Sequence, residues 1–160
     1  MATTPTHSEL RSFYAAIGRF ILMWADVENY LDLFVLMIRK PTDHRLPHQL
    51  AGKIKFVRDR LQFEQTANAP EALKIIDEID GLANTRHDYI HGGRIGHSIE
   101  GAVLFMKLGR WLQPPNRPRR KTVQVSAAEV EEITDRLREL GSKMLDLLER
   151  TSQNRRHTQK

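Results

Sequence analysis

The chain has 160 residues, 40% hydrophobic and 28% charged, with 25 lysines and arginines against 20 carboxylates and no cysteine. That balance describes a globular protein long enough to build a core without staples, and the missing thiols exclude disulfides and thiolate metal sites. The net charge of +5 suits a polyanionic partner without requiring one.

Met1 to Thr6 is short and polar, with no basic stretch leading into an apolar core. The most apolar run, Ile17 to Ile38, is broken by Arg19, Asp26, Glu28, Asn29 and Asp32. At roughly 3 kcal/mol for each charge at mid-bilayer, neither a leader nor a membrane span is expected, and the chain reads as cytoplasmic.

Thr6-His-Ser-Glu9 is a capping box, a hydroxyl and a carboxylate three residues apart that satisfy each other's backbone amides at a helix start. The helix predicted behind it has an apolar stripe of Phe13, Ile17, Phe20, Ile21, Trp24, Leu31, Phe34, Val35 and Ile38. Pro41 ends it. Leu50, Ile54, Val57 and Leu61 mark a second helix from about Pro47, with Lys53, Lys55, Arg58 and Arg60 on its other face. Pro70 suits the first turn of a third helix, whose stripe is Leu73, Ile76, Ile79, Ala83 and Ile90. Gly92 and Gly93 supply a left-handed residue to close it.

Ala102 to Leu108 is an apolar run of strand length after the turn-like Ser98 to Gly101, and Lys121 to Val125 alternates with Val123 and Val125 on one face. The prolines of Gln113 to Lys121 place a loop between them. Ser126-Ala-Ala-Glu129 is a second capping box, opening a last helix through Val130, Ile133, Leu137, Leu140, Met144, Leu147 and Leu148. The reading is a mainly α fold: about four principal helices with a small antiparallel β insert, about 94–125, between the third and last. One domain covers 1–150, and 151–160 is a flexible basic tail.

The residues with most chemistry lie at the end of the third helix, in Asn84-Thr-Arg-His-Asp-Tyr-Ile-His-Gly-Gly93. Arg86 falls within the apolar stripe, where a guanidinium needs a partner or a cleft. His91, about 140° round the helix, brings an imidazole that titrates near neutrality. On spacing alone, a core arginine paired with an acid and a histidine capping the last carbonyls explain both. His87 and His91, four apart, have a metal-binding spacing, but no cysteine is available as a third ligand and no metal or other cofactor is predicted. Asp88 points away from the stripe and reads as solvated unless the last turn unwinds. Glu28 shares a stripe with Trp24, Leu31 and Val35 and so points inward, where a carboxylate needs a cation such as Arg86 or His91.

The segment Arg86-His-Asp-Tyr-Ile-His91, arginine then four residues then histidine near a helix end in a helical chain, resembles the HEPN superfamily of ribonucleases and RNA-binding domains. The long first helix with Trp24-Ala-Asp-Val-Glu28 looks like that family's first core helix, which often carries an acidic residue facing the motif. The chain departs from the pattern where His87 stands in place of the frequent asparagine. It departs again at Gly93, where one subset has a tyrosine that a partner nucleotidyltransferase modifies. The resemblance implies a metal-independent endoribonuclease acting as a homodimer, with both motifs facing across the two-fold axis. His91 then serves as general base or acid, Arg86 holds the scissile phosphate, Glu28 orients them, and His87 and Asp88 stand in support. It also implies a toxin with an antitoxin or nucleotidyltransferase partner, or an effector of phage defence. The alternative is a non-catalytic HEPN-like module binding RNA or protein. Arg117, Arg119, Arg120 and Lys121, with Trp111 beside them, form a candidate RNA track; a solvated loop explains the same run.

Overall fold

A computed structural model describes residues 4–64, 68–100, 103–112 and 119–158. Among them the order is α1 (His7–Ile38), α2 (Leu50–Glu64), α3 (Ala69–His91), β1 (Gly93–Glu100), β2 (Val103–Leu112), β3 (Arg119–Ser126) and α4 (Ala127–Thr158). The fold is mainly helical, with a small antiparallel sheet between the third and fourth helices, as the periodicity predicts. No helix among the described residues is long and apolar enough to cross a membrane.

Both capping boxes form. Thr6 N–H donates to Glu9 Oε2 at 2.7 Å while Glu9 N–H donates to Thr6 Oγ1 at 3.2 Å. Ser126 and Glu129 repeat the exchange at 2.6 and 3.3 Å, just where β3 gives way to α4. Such a cap contributes about 1 kcal/mol, which is why these two helix starts are sharp. α2 lacks a box, and its first turn begins at Leu50, three residues beyond the proline expected to open it.

The chain divides into two compact units, each drawn from separated stretches of sequence. One comprises residues 1–22 and 83–136; the other comprises 23–82 and 137–160. The first buries Phe13, Ala16 and Phe20 of α1, Leu104, Met106 and Leu108 of β2, Val125 of β3 and Val130 of α4. The second buries Trp24, Val27, Leu31, Ile54, Val57, Ile76, Ile79, Leu137, Leu140 and Met144 among others.

The sheet has the order β1-β2-β3. Leu104, Met106 and Leu108 alternate with less buried residues, so β2 buries one face, the period-two signature of a half-covered strand. β1 departs from expectation: Ser98 to Glu100, predicted to turn, continue the strand and pair with Val103 to Phe105. A register shift between Arg94 and Gly96 marks a bulge at Ile95. In β3, Lys121 to Val125 alternates as predicted, but Arg119 and Arg120 pair with Leu112 and Trp111 in the ladder and do not belong to a loop.

Several burial expectations need correction. Ile21 of the α1 stripe is exposed. The buried row of α3 runs through Ala72, Ile75, Ile76, Ile79 and Leu82, while the predicted Leu73 and Ala83 are only partly buried. Lys53 of α2 is buried, its ammonium 2.6 Å from Asp32. α4 continues as helix through Thr158. Thr151 Oγ1 donates back to the Leu147 carbonyl at 2.7 Å within that extension.

Candidate functional site

Arg86 and His91 both lie on the last turns of α3, in the first unit. Arg86 extends the buried row of Ile79 and Leu82 by one more turn and is half-buried, its Nε fully enclosed. A guanidinium held this way keeps few rotamers and loses little freedom when it grips an anion. His91 is exposed, and its ring lies 4.7 Å from that of His87, also exposed. The spacing of four residues that stacks side chains on a helix explains this contact. Two imidazoles are thus presented together to solvent. Among the described residues, no group of three histidine or carboxylate side chains is gathered as metal ligands would be.

Asp88 corrects the sequence reading. It is only 6% exposed, and its Oδ2 accepts from the Lys121 ammonium at 2.5 Å. β3 supplies that lysine, so the ion pair ties the sheet to the helix end bearing the candidate pair. The candidate RNA residue Lys121 is therefore engaged by a carboxylate. The pair is invisible in the sequence because the partners are 33 residues apart on different elements.

Tyr89 sits on the same turn, its ring packed edge-on against Phe20 at 5.1 Å. Burial, then the charges of Glu129 and Asp88, push its phenol from 10.0 to about 12. It stays protonated and neutral at any physiological pH, which suits packing and not proton transfer.

The motif ends differently from expectation. Neither Gly92 nor Gly93 takes the left-handed backbone. Gly92 instead adds one more helical hydrogen bond, its N–H to the Asp88 carbonyl at 2.9 Å, and Gly93 opens β1 at once. A side chain at Gly92 would drive its Cβ into the Asp88 carbonyl oxygen and to 3.1 Å from Leu108 Cβ. Close approach, not backbone handedness, demands glycine here.

Glu28 belongs to the second unit. It is half-buried and accepts a hydrogen bond from the Trp24 indole at 2.6 Å, one turn back along α1. Of the proposed RNA track, Arg117 lies outside the described residues. Only the backbones of Trp111, Arg119 and Arg120 are described, with Trp111 opposite Arg120 in the β2–β3 ladder.

Sequence reasoning passes over a second constellation, on α2. Phe56, Arg60 and Phe63 recur at helical spacing, and their signal is an aromatic interleaved with the basic face already noted. Compared with known proteins, this chain matches no family model, no curated protein and no solved structure.

Proposed function

We propose that the end of α3 cleaves RNA without a metal, as a HEPN-like endoribonuclease acting through Arg86 and His91 in a homodimer. The observation that carries this reading is that one helix end bears both an exposed imidazole and, about 140° round the helix, a half-buried guanidinium. His91 is open to substrate and removes the proton of a ribose 2′-hydroxyl, whose oxygen attacks the adjacent phosphorus. The 5′-oxygen leaves with a proton from an imidazolium, and a cyclic phosphate remains. Arg86 neutralises the charge that builds on the phosphoryl oxygens. Because the nucleophile is the 2′-hydroxyl, DNA is not cut.

A solvent face of α1 supports the dimer. Tyr14, Ile21, Leu22, Leu33 and Leu36 are all exposed and fall within an arc of about 120° on that helix, opposite its buried row. Asn29 and Asp32 divide them into two short apolar patches, Tyr14, Ile21 and Leu22 in the first unit and Leu33 and Leu36 in the second, and exposed apolar patches are a common mark of association.

Cleavage of single-stranded RNA in the presence of a chelator tests the reading. His91→Ala is expected to lose about 10²- to 10⁴-fold in rate with its helical circular dichroism intact. Arg86→Lys, which keeps the charge but not the fork, is expected to cut poorly as well. The second reading, a non-catalytic module binding RNA or protein, draws on the enclosure of Arg86 Nε, which also suits an arginine that only braces the helix end. Wild-type protein that binds RNA and leaves it intact decides for the module.

A further inference from the structure

On the surface of the second unit, two open cavities of about 350 and 380 Å³ adjoin along α2, sharing Phe56 and Asp59 as common wall. Lys40, Arg60 and Phe63 line the first. Arg45 and Lys55 line the second, with the Leu46-Pro47 segment as an apolar edge. Four cations thus surround two aromatic rings, with Asp59 in the shared wall and Asp43 paired to Arg60.

The rings are arranged for use. Phe63 is 81% exposed, the most open of the large apolar side chains among the described residues. Lys40 Nζ stands 5.5 Å from its centroid, and the Arg60 guanidinium stands 5.3 Å from that of Phe56. Phe56 and Phe63 are two helical turns apart, about 10 Å along the axis. Arg60 is held in place by Asp43, whose two oxygens accept from its Nη2 at 2.9 and 2.7 Å. Asp43 in turn accepts from the Lys40 backbone N–H at 2.6 Å, so the edge of the groove is braced. Lys55 pairs with Asp59, one turn along, and both are well exposed. Such a pair is weak and yields readily to a phosphate. Arg45 is exposed as well.

An apolar peptide would cover the rings but make no use of the charge of Lys40 or of the exposed Arg45. A simple polyanion would do the reverse. A ligand bearing flat rings on a phosphate chain satisfies both. We propose that this face of α2 binds single-stranded nucleic acid, a base stacking on Phe63 and the flanking phosphates lying on Lys40, Arg45 and Lys55. The site does not depend on Arg86 or His91 and holds whether or not the chain cuts RNA.

Fluorescence anisotropy with a labelled oligouridylate of about twelve nucleotides, and its deoxy counterpart, tests the proposal. Wild type is expected to bind both within a few-fold of each other, since neither ring nor cations read the sugar. Phe63→Ala is expected to weaken binding about tenfold, with Phe63→Trp retaining it. Its melting temperature is expected to match wild type, because the ring is solvent-exposed. Lys40→Ala with Arg45→Ala is expected to reduce the salt slope by about 0.7 for each phosphate the variant no longer neutralises. Because the cleavage reading leaves DNA uncut, the deoxy strand's loss of affinity in Phe63→Ala separates this groove from that reading. Three results overturn it: no binding of either strand, Phe63→Ala binding as tightly as wild type, or an equal loss from the exposed Lys143→Ala on α4.

Discussion

At the scale of single residues, the end of α3 shows how burial assigns roles that residue type leaves open. Asp88 and His91 are both polar and three positions apart, yet one is sealed against a lysine and the other faces water. Only the second is available to a substrate. Tyr89 makes a testable case. Its folded-state pKa lies above the unfolded one, so the native state holds its proton between 10.0 and about 12 while the unfolded chain has lost it. The stabilisation is therefore complete below pH 10 and falls away as pH rises toward 12. Urea denaturation across that window is expected to show wild type losing stability more steeply than Tyr89→Phe. Parallel pH profiles would mean that the phenol is not desolvated.

At the scale of elements, the junction from α3 to β1 carries the most information. The helix passes into the strand with one glycine between them, and Leu108 of the neighbouring strand crowds that glycine. Gly92→Ala is expected to cost about 1–3 kcal/mol in chemical denaturation, the usual penalty for inserting a methyl where none fits. A variant as stable as wild type would show slack at the junction. The Asp88–Lys121 pair bridges α3 and β3, so the sheet does more than elaborate the helical fold. It holds in register the helix turn from which His91 projects.

At the scale of the whole molecule, α1 has an apolar inner row and separate exposed apolar residues on its outer side. Its inner row is buried from Phe13 to Ile38, while Leu22 is 67% and Leu33 49% exposed. On the dimer reading, light scattering is expected to give twice the 18.5 kDa of one chain. Leu22→Glu with Leu33→Glu is expected to return it to a single-chain mass and abolish cutting together. A wild-type mass of one chain would remove the partner motif that the mechanism needs.

Local signals suffice for the order and type of most elements, because capping boxes, proline stops and apolar periods act within a few residues of themselves. They place both boxed helix starts, the sheet between the third and fourth helices and the alternation of Lys121 to Val125. They include β1 within the bounds of the insert but assign it no strand, because it lacks a clear apolar run and pairs along β2. They also misjudge Lys53 and Asp88, each charged and each buried, because a charge enters the interior only with a partner distant in sequence. The two aromatics of the α2 groove are legible by spacing, but nothing local says that one ring is left uncovered. Periodicity tells which side chains share a face; only the packed chain decides what that face meets.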